Sequence, residues 1–242
     1  MKIRICFEKT EIGRYLSHLD LMRTMERSLR RAKAPLAFSE GFNPHIKMSF
    51  ASALAVGVTG KKEYLDLDLS RSVDVFEFCE TLKSAVPPAL SILDAREIDR
   101  ESRSLSSMVN LAIYSIAAQA RPGESIKINE GIARIMAATE LYRELKRKPG
   151  KAASGLKDVR PLIRSVKASG SVPACCEAAP EAVEVSTVIA ELILATDGQL
   201  RAQDLWDMIC DAGGLDTLQP PAICRQALLI YKDDKTISPM EI

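Results

Sequence analysis

Hydrophobic positions recur with a period of two at the start of the chain: in KIRICFEKT (2–10), Ile3, Ile5 and Phe7 alternate with Lys2, Arg4 and Glu8. That period describes a strand with one buried and one polar face. The period then lengthens. Leu21, Met22, Met25, Leu29 and Ala32 recur at helical spacing, Ser17 is a good N-cap with Asp20 three residues on, and Pro35 forbids continuation. The spacing predicts a helix over 18–33. LAFSEGFNPHIKMSFASAL (36–54) reads as a strand broken at Gly41-Phe42-Asn43-Pro44. KKEYLDLDLS (61–70) alternates Tyr64, Asp66 and Asp68 with Leu65, Leu67 and Leu69, a strand with one wet face. A helix over 74–85, stopped by Pro87-Pro88, and a strand in LSILDAREID (90–99) complete a β-α-β-β-α-β order.

The same order repeats after the polar stretch DRESRSLSS (99–107). SMVNLAIYSIAAQA (107–120) is strand-like, and Ile132, Ile135, Met136, Thr139, Tyr142 and Leu145 predict a helix over 130–147. LKDVRPLIRSVKA and EVSTVIAELILAT read as two strands joined by the Ala/Pro-rich loop 169–182. A helix over 201–212 ends at a glycine pair, and AICRQALLIY (222–231) is a last strand. The expected fold is α+β, two tandem ferredoxin-like (βαββαβ) domains spanning 1–100 and 106–232, with a tail at 233–242.

Composition bounds the class. With 242 residues, 47% hydrophobic and 27% charged, the chain has the make-up of a globular protein with one large or two small cores. No apolar run reaches the roughly 20 residues of a membrane helix. The N-terminal MKIRICFEKTEIGR lacks the continuous apolar stretch of a signal peptide, so a cytoplasmic location without membrane association is expected. The six cysteines (Cys6, Cys79, Cys175, Cys176, Cys210 and Cys224) form no CxxC and no closely spaced triplet. Neither a zinc knuckle nor an iron–sulfur cluster has ligand spacing here. No GxGxxG, Walker sequence or GxSxG is present.

The net charge of +1 conceals separated blocks: residues 14–62 sum to +6, 143–167 to +7 and 177–216 to −8. Basic blocks suit an anionic partner such as RNA; facing acidic blocks or simple solvation are the alternatives. Arg23, Arg27 and Arg30 recur at helical spacing on one face of the first helix, opposite the apolar stripe. With Arg14, Asn43, His45, Lys47, Arg160 and Arg164 they are the candidate nucleic-acid-binding residues, and Phe42 or Tyr15 could stack a base. His18, Asp20 and His45 are candidates for chemistry. As an H-x-D, His18 and Asp20 would sit about 200° apart on a helix, which disfavours a shared metal ion. The two histidines could instead divide acid–base work at a phosphodiester, or merely decorate a helix start and a turn.

YLSHLDLMRTMERSLRRA, SEGFNPHIKMSFA and EYLDLDL, in this order and spacing, resemble the bacterial radical-SAM-linked protein family, with DVRPLIRS (158–165) a further shared element. One departure is Ile46, where that family usually has proline. The resemblance implies a domain found fused to, or encoded beside, a radical SAM protein and often near ribonuclease and ribosomal protein genes. It carries no established catalytic residues. It implies a radical SAM protein as partner, with RNA or a ribosome component as a further one. The iron–sulfur cluster and S-adenosylmethionine would then sit in the partner, and no cofactor in this chain. The expected function is a non-catalytic RNA-binding or adaptor module in RNA or ribosome modification or maturation. The alternative is an RNA-processing or RNA-modifying enzyme using His18 and His45.

Overall fold

In the computed structural model the described residues are 1–121, 123–144, 156–173, 184–195, 198–216 and 219–242. They are mixed α+β with mostly antiparallel strands and five helices. Two compact units divide them: Met1–Asn110 with Arg225–Ile242, and Leu111–Cys224. The expected second domain ran on to 232; from Arg225 the chain instead belongs with the first unit.

The first unit follows the order read from the pattern: β1 (Lys2–Lys9), α1 (His18–Arg31), β2 (Met48–Phe50), β3 (Val58–Asp68), α2 (Val75–Ala85) and β4 (Leu90–Ile98). A short helix, α3 (Leu105–Met108), follows. β1 lies between β4 and β3, antiparallel to both, and β2 pairs with β3 at Leu65–Leu67. Ile3, Ile5 and Phe7 of β1 join Leu65, Leu67 and Leu69 in a core closed by Leu21, Met25 and Leu29 of α1 and Phe78 and Leu82 of α2. The Arg31 guanidinium donates to the Ala85 carbonyl at the end of α2, tying the two helices together.

The opposite face of β3 is not wet. Tyr64 and Asp66 are each only 2% exposed, and Arg4 of β1 is 1% exposed. Alternation reports that a face is polar, not that water reaches it. Arg4 and Asp66 stand directly opposite in the β1–β3 register. Arg4 Nε and Nη2 donate to the two Asp66 oxygens at 2.8 and 3.1 Å, and Nη1 donates to the Pro239 carbonyl at 2.7 Å. The residues expected as a tail form β11 (Lys235–Ile237) and a 3-10 turn over Pro239–Glu241, capped reciprocally by Ser238 and Glu241. β10 (Ala222–Lys232) hairpins into β11 and also pairs with β3.

In the second unit the described elements are β5 (Leu111–Ala120), α4 (Glu124–Ala137), β6 (Tyr142–Glu144), β7 (Leu156–Asp158), β8 (Ile163–Pro173), β9 (Glu184–Ile193) and α5 (Ala202–Gly213). β9 lies between β5 and β8, antiparallel to both, and β6 pairs with β7 as a separate ribbon. The periodicity predicts a helix at 130–147; α4 runs instead from Glu124 to Ala137. Gly123, with φ of 86°, opens it, and the Glu124 carboxylate accepts from the Arg121 N–H. Arg160 ends it by donating to the Met136 and Ala138 carbonyls at 3.1 and 3.0 Å, from a turn far along the chain. Asp158 accepts from the Leu141 and Arg160 N–H groups, which also holds its carboxyl below the usual carboxylate range. α4 and α5 cross at Gly131 and Gly213, where a Cβ on either would overlap a carbonyl oxygen of the other helix. The loop at 174–183, with Cys175 and Cys176, lies outside the described residues.

Arg4→Met should destabilise the protein by about 3–5 kcal/mol, because Asp66 would keep a buried charge with only Lys2, 4.0 Å away, to offset it. Arg4→Met/Asp66→Leu should recover most of that loss. Urea unfolding of the wild type and both variants checks the pair; equal losses in the single and double variants would count against a charge effect.

Candidate nucleic-acid interface

α1 is set by its start. Ser17, extended at φ −67° and ψ 165°, accepts from the Asp20 N–H at 3.2 Å, and its hydroxyl donates to Asp20 Oδ2 at 2.6 Å. With the stripe of Leu21, Met25 and Leu29 turned inward, Arg23, Arg27 and Arg30 are left exposed on the outer side. Arg23 lies 3.8 Å from Asp20 with its side chain 70% exposed, and Arg30 pairs with Glu26 at 2.9 Å. Arg27 Nε donates to the Arg23 carbonyl. Such exposed pairs are each worth under about 1 kcal/mol and leave the cations available to another anion.

The segment 38–47 lies beside this face. The Arg30 guanidinium sits 5.7 Å from the centre of the Phe38 ring. Phe38 pairs with Ile46 as an isolated antiparallel bridge, Ser39 N–H donates to the His45 carbonyl at 2.8 Å, and His45 N–H donates to Ser39 Oγ at 2.9 Å. These bonds close a loop with Gly41 (φ 118°) and Phe42 at its tip, and Phe42 is fully exposed at 107% of its reference accessibility. A positive φ at Gly41 is the conformation that glycine alone adopts readily. Asn43, His45 and Lys47 are exposed on the same segment, while Ile46 packs against the core and roots it. Lys47 N–H donates to Ala37, and its carbonyl accepts from Asp68 N–H, so its backbone is fixed while its ammonium is exposed.

Other candidates have structural partners. Arg14 donates to Glu11 at 2.6 Å and to the Gly57 carbonyl, and stands over the Tyr15 ring. Arg160 spends its guanidinium on the end of α4 and on the Ile163 carbonyl. Arg164 pairs with Glu191 at 2.7 Å. Of the second basic block, residues 145–155 lie outside the described residues.

The histidines are not brought into contact. His18 begins α1, edge-on to Phe50 with ring centres 5.5 Å apart; its Nδ1 is buried without a hydrogen-bond partner. Burial, and secondarily the Arg225 charge, lowers its pKa from the ordinary value of 6.5. His45 belongs to the exposed loop, and Asp20 is engaged with Ser17 and Arg23. Among the described residues no hydrogen bond or ring contact joins His18 to His45, and no three His, Cys, Asp or Glu side chains gather as a metal site.

Periodicity misses a second buried ionic group. Arg225 donates to Glu63 Oε1 and Oε2 at 2.7 and 2.5 Å, and to the Ser52 and Ala53 carbonyls. Lys9, fully buried, donates to the carbonyls of Arg14, Leu16 and Ala55 at 3.0, 3.1 and 3.4 Å. Desolvation lowers the Lys9 pKa to about 8, against a smaller upward pull from Glu63. The partners of Arg225 lie more than 160 positions away, so no local pattern announces them.

The Lys9 shift predicts a pH dependence. Between about pH 8 and its unfolded value of 10.5, the unfolded chain holds the Lys9 proton and the folded chain releases it. The Lys9 contribution to stability therefore rises with pH through that window, from its lowest level below pH 8. Burial of the Cys6 thiol, which raises its pKa to about 11, acts in the opposite direction above pH 9. The readout is thus the difference between wild type and Lys9→Met in urea unfolding at pH 7.5 and 10: the variant should lose the upward component.

Comparison with curated proteins finds no match. A family model described as "uncharacterized protein conserved in bacteria" (DUF2344) matches residues 2–201. The match takes in α1, the 38–47 loop and the Asp158–Arg164 segment, and it stops short of β10. By that match across most of its length, the chain belongs to this bacterial family of unknown function.

Proposed function

We propose that this protein is a non-catalytic RNA-binding or adaptor module that works with a radical SAM protein in RNA or ribosome-related modification or maturation. The observation that carries the RNA part is the Arg30–Phe38 contact, which sets an exposed loop with Phe42, Asn43, His45 and Lys47 beside the exposed face of Arg23 and Arg27. Cations at helical spacing suit phosphates, and an aromatic left in water suits a base. On this reading Arg160, whose guanidinium holds three carbonyls, serves the fold first, and α1 with its neighbouring loop is the main binding surface. The radical SAM partner rests on the resemblance of the α1, 39–51 and 63–69 motifs to the radical-SAM-linked family. The cluster and S-adenosylmethionine belong to that partner. We also read each unit as a ferredoxin-like module, a reading supported in the first by its β-α-β-β-α-β order.

The test is binding of labelled RNA by fluorescence anisotropy across a salt series. Arg23→Ala/Arg27→Ala should weaken binding and flatten the salt slope by about 1.5, near the value for two phosphate contacts. His18→Ala should leave affinity within about twofold, and no variant should reveal turnover of the RNA. Unchanged affinity in the arginine pair would overturn the RNA reading; RNA cleavage or modification abolished by His18→Ala/His45→Ala would establish the enzyme instead. For the partner, a bacterial pull-down should retain a radical SAM protein after nuclease treatment.

A further inference from the structure

We infer that the surface formed by α1 and the 38–47 loop takes single-stranded RNA, with one unstacked base laid on the ring of Phe42. This inference rests on the RNA-binding reading above and names the substrate form.

Three observations carry it. The first is the state of the aromatics of this loop: Arg30 stands over Phe38, whereas Phe42 is fully exposed. A wholly exposed phenylalanine gains nothing from folding, and its ring can stack on any base whose face is free. The second is how its loop is held. The Ser39–His45 backbone bond, the His45–Ser39 side-chain bond and the Phe38–Ile46 bridge fix both stems of the loop, and Ile46 anchors it to the core.

The third is scale. Arg23, Arg27 and Arg30 climb α1 in steps of about 6 and 4.5 Å, a row roughly 10 Å long. Double-stranded-RNA-binding domains reach across about 16 base pairs and two minor grooves, far longer than this row. Its bases are also stacked on one another and offer no face to a loop-tip ring. A short single strand meets both conditions, with two or three phosphates on the arginines and Lys47 and a splayed base on Phe42.

The experiment compares a 12-nucleotide single strand with the duplex of the same sequence, by anisotropy at fixed salt, for wild type, Phe42→Ala, Phe42→Trp and Arg23→Ala/Arg27→Ala. The single strand should bind at least tenfold more tightly than the duplex. Phe42→Ala should weaken it roughly 5- to 150-fold, the loss for one stacked base, without flattening the salt slope. Phe42→Trp should retain binding, and an unchanged unfolding midpoint for Phe42→Ala would show that the fold is intact. Equal binding of duplex and single strand, or a Phe42→Ala variant that binds like wild type while the arginine pair does not, overturns the single-strand inference and leaves the interface standing. Failure of both RNA forms to bind, or indifference to the arginine pair, removes the RNA reading itself.

Discussion

The first unit is organised around a charge taken out of water. Arg4 and Asp66 face each other across adjoining strands, on the side of the sheet away from α1 and α2. Desolvating both ions is costly, and their attraction compensates only when the hydrogen bonding is nearly complete. Two guanidinium nitrogens meet the carboxylate, and a third needs an acceptor of its own. The Pro239 carbonyl meets that need. Arg96 of β4 donates in the same way to the Met240 carbonyl, and the Tyr64 hydroxyl lies 3.4 Å from Ser238 Oγ. The last residues of the chain thus close the unit begun by its first strand.

The same principle positions the candidate interface. Lys9 gathers the carbonyls of Arg14 and Leu16, immediately before the Ser17 cap, with that of Ala55 from the loop ahead of β3. Arg225 and Glu63 are paired nearby, and Arg225 also holds the Ser52 and Ala53 carbonyls. A buried ammonium is a poor contributor to stability, as its lowered pKa records, but it is a strong constraint on where loops can lie. The entry of α1 is fixed by that constraint, and its arginine face follows from the helical period.

The surface of α1 and the 38–47 loop differs from an ordinary solvated face in one respect. Exposed arginines with acidic neighbours at helical spacing, such as Arg30 with Glu26, are common and weakly coupled. A phenylalanine left wholly in water beside them adds an open ring to the charge. His18 belongs to the packing around Phe50, with one ring nitrogen unpartnered, and His45 to the loop. Charge and an open aromatic share this surface.

What the sequence determined by itself was whatever depends on neighbours a few positions apart. The two-residue alternation in β1 and β3, the Ser17 cap and Pro35 stop around α1, the three arginines on one face, and the turn at Gly41 to Pro44 are all local. Tertiary structure decided what depends on distant partners. The polar face of β3 is buried because Arg4 stands 62 residues away in the chain and Pro239 farther still. α4 starts and stops earlier than its apolar period suggests, because Gly123 opens it and Arg160 takes its last carbonyls. The Lys9, Glu63 and Arg225 group, and the hold of the Arg160 guanidinium on three carbonyls, were equally invisible. A charged residue reads alike in sequence whether water or a buried counter-ion solvates it, and only the folded chain brings the counter-ion to it.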